Sequence, residues 1–204
     1  MTRATGIRLA LAIVVLAAVA ILLRGAGARR SPAIRATLSL QELLGGDDTA
    51  GFARVLAPRP FAFPRDHGQH PEYRTEWWYI TGNLEAEDGR RFGYQLTFFR
   101  NALADSMPDR ASAWAARQAW MAHFALTDVS ARQFHAREQF ARGAAGLAGA
   151  DTSPFRVWVG PWSIASTAQS AEPAQANSPS AIFPLQLQAA DGDVRLDLEL
   201  DVGK

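Results

Sequence analysis

The sequence predicts an all-β protein, an antiparallel barrel or sandwich of seven or eight strands. Three observations carry this. Short runs rich in aromatic and β-branched residues recur from Thr75 onward. Turn signals separate them, Asp88-Gly89 being the strongest. The last run, "VRLDLEL", alternates strictly: Val194, Leu196, Leu198 and Leu200 against Arg195, Asp197 and Glu199. With 204 residues, 48% of them hydrophobic, the chain suffices for one packed domain.

The elements follow in order. Arg3 and Arg8 precede an uncharged run, Leu9 to Leu23, and Ala26 and Ala28 offer a small-residue cleavage site. Residues 1–28 therefore read as a signal peptide, or as a membrane anchor through residues 7–23. Arg24, Arg29 and Arg30 behind the run favour retention on the cytoplasmic side and so keep the anchor alternative open. A periplasmic or secreted location is expected. Residues 29–60 form an irregular lead-in, with one short helix expected at Leu38 to Leu44 before Gly45-Gly46.

The domain proper spans 61–204. "TEWWYITGNL" and "RFGYQLTFFR" make the first hairpin. A two-residue turn at Asp88-Gly89 would set Tyr79 opposite Phe98, Trp78 opposite Phe99 and Trp77 opposite Arg100. Trp77 and Trp78 then point to opposite faces, so both faces carry large aromatics. A sheet wetted on one side alternates apolar and polar, so the second face is expected to be covered. "WMAHFALTD" and "RQFHAREQF" form a second pair, with Trp120, Ala122, Phe124 and Leu126 on one face and Phe134, Ala136 and Phe140 sharing another. "FRVWVG", "WSIAS", "FPLQLQA" and "VRLDLEL" complete the strands. Residues 104–119, 141–153 and 166–181 read as loops, the second because it is glycine- and alanine-rich.

Composition removes several functions. There is no cysteine, which excludes disulfides, thiolate metal sites and a cysteine nucleophile. Five of the 21 basic residues lie in the first 30 positions, which leaves the body mildly acidic against 20 acids. Nucleic acid is not an expected partner. There is no serine-nucleophile elbow and no phosphate-cradling glycine loop.

One stretch is specific: "FPRDHGQHPEYRTEWWYITGNL", Phe63 to Leu84. It resembles the AttH/CrtC family of secreted, lipocalin-like bacterial proteins, which includes carotenoid 1,2-hydratase. "FGYQLTFFR", "WMAHFALTD" and "FPLQLQAADGDVRLDLEL" resemble that family in the same order. The resemblance implies a lipocalin-like antiparallel β-barrel, the first of two family barrels, with the C-terminal barrel missing from this chain. A second barrel or partner domain, a membrane, and a hydrophobic small molecule are the implied partners. The implied activity is water addition to a C=C bond, complete only with the second half. Accessory service to an envelope lipid-export transporter is an alternative.

Such chemistry needs a proton donor, cation-tolerant aromatic faces and a placed water. Asp66, His67, His70 and Glu76 are the candidate polar residues, and Trp77, Trp78, Tyr79, Tyr94 and Phe98 the candidate ligand contacts. Arg74, Glu76 and Trp78 share a strand face. Glu76 is then either an acid or half of an Arg74–Glu76 pair that ties down the barrel mouth. His67 and His70 lie three apart, but Gly68 and Pro71 forbid a regular helix there and no third ligand follows. Asp66, His67 and His70 are expected to fix a loop by bonding backbone amides. No metal and no cofactor is expected.

Overall fold

The computed structural model describes residues 49–105, 112, 114–168 and 178–203. The helix expected at Leu38 to Leu44 and the apolar run Leu9 to Leu23 lie outside the described residues. So does much of the loops expected at 104–119 and 166–181.

The first hairpin joins β1 (Thr75–Glu85) to β2 (Arg91–Ala102). Its turn is one residue longer than expected. The Ala86 amide donates to the Arg90 carbonyl at 2.8 Å, which leaves three residues in the loop. Gly89 closes it at φ +79°, a left-handed conformation in which glycine carries no Cβ penalty. Asp88 accepts from the Arg90 amide at 3.1 Å and fixes the turn. The expected register is therefore corrected by one residue. Trp77 pairs with Phe99, Trp78 with Phe98, Tyr79 with Thr97, and Glu76 with Arg100.

That single step decides which side chains meet. β3 (Gln118–Asp128) and β4 (Gln133–Arg142) extend the sheet in the order β1-β2-β3-β4. Even-numbered residues of β1 to β3 point inward: Trp78, Ile80, Leu96, Phe98, Trp120, Ala122 and Phe124 all join the core. Phe134, Ala136 and Phe140 share a face of β4, and it is the outer one, with Phe134 and Phe140 exposed.

The second sheet has the order β5-β6-β7-β8-β9, all antiparallel. Its strands are β5 (Ala148–Thr152), β6 (Phe155–Val159), β7 (Trp162–Ser166), β8 (Leu185–Asp191) and β9 (Val194–Leu200). β5 corrects the expectation of a loop over 141–153 and raises the strand count among the described residues to nine. Its small residues are dictated by packing. Ala148 and Ala150 are buried, and a Cβ on Gly149 would meet the Trp158 ring at 2.8 Å. A composition that reads as flexible is here the flat floor beneath an indole.

Both sheets contribute to one core, where Phe124 meets Trp162 edge-on at 6.0 Å. The fold is all-β with two antiparallel sheets. No hydrogen-bonded strand pair joins one sheet to the other among the described residues. Among the described residues no helix is long and apolar enough to cross a membrane.

The burial pattern sets a contrast in stability. Phe98→Ala, at a fully buried ring, is expected to cost about 3–5 kcal/mol. Trp77→Ala, on the outer face, is expected to cost under about 1 kcal/mol. Denaturant unfolding of the two variants checks this; similar losses would contradict the assignment of faces.

Candidate functional site

The loop ahead of β1 folds against one end of the two sheets. A 3-10 turn, Arg65–His67, starts it. The Asp66 carboxylate, fully shielded, organises the loop: it accepts from the Ala62 amide at 2.5 Å and from Arg59 at 2.9 and 3.2 Å. The Arg59 hydrogen bond, then the Ala62 amide and His70, hold its acidity well below the usual carboxylate range.

His67 faces the other sheet's connections. Its Nε2 donates to the Pro179 carbonyl at 2.8 Å, and its ring lies 4.5 Å from that of Phe63 and 6.1 Å from that of Phe155. Burial pushes this imidazole below its ordinary value, and the Pro179 bond recovers part of the drop. Gly68 follows because nothing larger fits: a Cβ there would overlap Thr152 Oγ1 on β5.

His70 sits between two carboxylates. Nε2 is 3.1 Å from Asp66 Oδ1 and Nδ1 is 2.8 Å from Glu76 Oε1. Burial alone would lower its pKa, but the bonds to Asp66 and Glu76 outweigh it and raise the value above that of an ordinary imidazole. The Arg59 guanidinium lies 3.3 Å from Nε2.

Glu76 is an acceptor on both oxygens. The His70 amide reaches them at 2.8 and 2.9 Å, and Arg100 Nε reaches Oε2 at 2.8 Å. Arg100 is 0% exposed and also donates from Nη2 to the carbonyls of His70 at 3.0 Å and Tyr73 at 2.6 Å. The expected Arg74–Glu76 pair is thus replaced by an Arg100–Glu76 pair. The corrected hairpin register is the cause, since it sets these residues directly opposite one another. Arg100 Nη1 and Gln69 Oε1 are buried without a hydrogen-bond partner among the described residues.

The aromatic candidates divide by strand parity. Trp78 points inward, stacks on Trp120 at 5.8 Å and donates to the His67 carbonyl at 2.8 Å. Tyr94 and Phe98 lie in the core with it. Trp77 and Tyr79 point outward and are 59% and 61% exposed. A cleft of about 390 Å³ opens where the loop meets β1, with Val55, Tyr73, Thr75 and Trp77 on its walls and His67, His70 and Glu76 among its polar residues. His123 and His135 sit on paired strands but on opposite faces, so they do not form a site. Among the described residues no group of three or more has the arrangement of a metal site.

Sequence reasoning missed Arg59, Arg100 and the Pro179 carbonyl. For Arg100 there was a signal: an arginine at the end of the apolar run "LTFF" needs an acid nearby. For Pro179 there was none, since its contact with His67 joins residues far apart in the chain, whereas Arg59 lies in the same loop, seven residues before Asp66.

A two-sheet antiparallel domain, sealed at one end by a loop pinned through Asp66, His70 and Glu76, is the class of protein these observations define. The chain belongs to the AttH-like family, whose model matches residues 54–204. Among solved structures it is similar to a Nitrosomonas europaea protein assigned to AttH, at 26% identity and a TM-score of 0.52, over 72% of this chain. The match covers 39% of that protein's chain, so this chain corresponds to well under half of it. No curated protein matches.

Two outcomes follow. Arg100→Met leaves Glu76 buried without its cation and is expected to cost about 3–5 kcal/mol, while Arg100→Met combined with Glu76→Leu recovers a large part of the loss. Equilibrium unfolding of both variants measures it. The second outcome concerns pH. A raised folded pKa at His70 gives stability that is complete below about pH 6.5 and is lost as pH rises through the folded value. His67, shifted down, works in the opposite window and loses stability as pH falls below that point. Thermal melts from about pH 6.5 to 8.5 should show a fall that His70→Gln removes; an equal fall in that variant would contradict the assignment.

Proposed function

We propose that this chain is an exported lipocalin-like domain that binds a hydrophobic ligand, lipid- or isoprenoid-like, in the cleft beside the motif loop. The observation that supports this is Trp77: a large indole, 59% exposed, forms one wall of that cleft. Its volume, about 390 Å³, falls in the range of small-molecule sites. Trp77 and Val55 offer apolar surface, and the polar side near His67 and His70 suits a head group. The core between the sheets is filled by Trp78, Phe98 and Trp120, which argues for the cleft over the interior. Export, and membrane association through residues 7–23, belong to the same reading and rest on the N-terminal sequence.

A hydratase reading gives Glu76 the role of proton donor to a C=C bond. The geometry favours it less, because both Glu76 oxygens already accept hydrogen bonds from His70 and Arg100. Service to a lipid-export transporter rests on the family resemblance alone.

Titration of the full chain with a long-chain fatty acid, and separately with an acyclic carotene, tests the proposal by tryptophan fluorescence. Saturable quenching is expected with at least one, weakened about tenfold or more in Trp77→Ala. Absence of saturable binding to either, or equal binding by that variant, would overturn it.

A further inference from the structure

The outer face of the β1–β4 sheet carries a pattern that the cleft does not use. Trp77, Phe99, Met121 and Phe140 are cross-strand partners, one from each strand, and form a single apolar row. Trp77 and Phe140 at its ends are exposed. One flank of the row is Tyr79, Thr97, His123 and Glu138. The other is Thr75, Asn101, Ala119 and Arg142. Glu138 and Arg142 are exposed, and neither makes an ion pair with another described residue.

We infer that this face is a homodimer interface, with a two-fold axis running along the Trp77–Phe140 row. The charge pattern selects both the occupant and the axis. A two-fold along the row lays each flank on the opposite flank of the second copy. Glu138 then meets Arg142 of the second copy, and by symmetry Arg142 meets Glu138, as an isologous contact requires. Tyr79 then lies over Thr75 and His123 over Ala119, while Thr97 is buried within its own chain and adds no contact. Shifting the axis one row toward Glu138 sets that carboxylate on itself. Shifting it one row the other way sets Arg142 on itself. Only the apolar row as axis pairs unlike charges.

The two sheets would pack face to face at the usual spacing of about 10 Å, with strands aligned. Three rows across four strands cover roughly 400 Å² of each copy by strand spacing, the size of a transient association rather than a permanent one. The dimer is therefore concentration-dependent. Trp77 belongs to both the row and the cleft, but the charge reversals that test the dimer, at Glu138 and Arg142, lie outside the cleft.

Sedimentation velocity on the full chain, from about 1 to 300 µM, tests the inference in the range expected of a transient interface. Wild type is expected to move from monomer toward dimer. E138R and R142E, each placing like charges together twice per dimer, are each expected to weaken association about tenfold or more. The double variant E138R/R142E restores the unlike pairing and is expected to recover affinity to within about threefold of wild type. Both sites are exposed, and thermal melts confirm that each variant folds. A wild type that stays monomeric throughout, single reversals without effect, or a double variant as weak as the singles would each overturn the inference.

Discussion

The buried pair between Arg100 and Glu76 is the constraint on which the rest of this end of the molecule depends. A guanidinium with no exposure can persist only with an acid and further acceptors close by. Glu76 supplies the acid, and the carbonyls of His70 and Tyr73 supply the acceptors. Those carbonyls belong to the motif loop, so the cation on β2 dictates where the loop lies. The same contact fixes the hairpin register. A slip of one residue would turn Arg100 toward solvent and send Phe98 and Leu96 out of the core with it.

That register was the part the sequence hid. "EAEDGR" contains a two-residue turn signal, and the chain instead uses Gly89 as the left-handed residue of a three-residue loop. Local turn chemistry alone does not separate the two, because both place a glycine at positive φ. The burial of Arg100 beside Glu76 does separate them, and that is a tertiary fact. Strand identities were legible because hydrophobic alternation is local: Trp120 to Leu126 and Val194 to Leu200 behave as their spacing requires. β5 was not legible, since Gly149 is bare to admit the Trp158 ring, nine residues on in its partner strand, while Ala148 and Ala150 turn to the core. At the site, the bonding of a backbone amide by Asp66 followed from residue type; His67 instead donates to a carbonyl and the His70 ring bonds two carboxylates. The Pro179 contact did not follow from it, since Pro179 lies far along the chain from His67.

The charged stretch before the aromatic run has a physical reason. Asp66, His70 and Glu76 satisfy one another and the loop's backbone amides, and Glu76 also matches the buried Arg100. With the polar groups closed on themselves, the loop can lie against Trp78 and accept its indole N–H at the His67 carbonyl. Gly68 permits the close approach to Thr152 that brings the loop onto the second sheet. The plug is thus polar within and apolar where it touches the core.

The alternation of β1 then separates two kinds of work within one short run. Even positions, Glu76, Trp78 and Ile80, are committed to pairing and packing. Odd positions, Trp77 and Tyr79, contribute nothing to the core and remain more than half exposed. A fold assembled only for stability would set polar residues there, as a sheet with one wet face ordinarily does. Opposite Trp77 stands Phe99, then Met121 and Phe140, so the apolar character persists along this row across all four strands. A single exposed aromatic is unremarkable, but a continuous row in register on one face is a contact surface. Trp77 stands where that row meets the cleft, so whatever occupies the one is felt at the other.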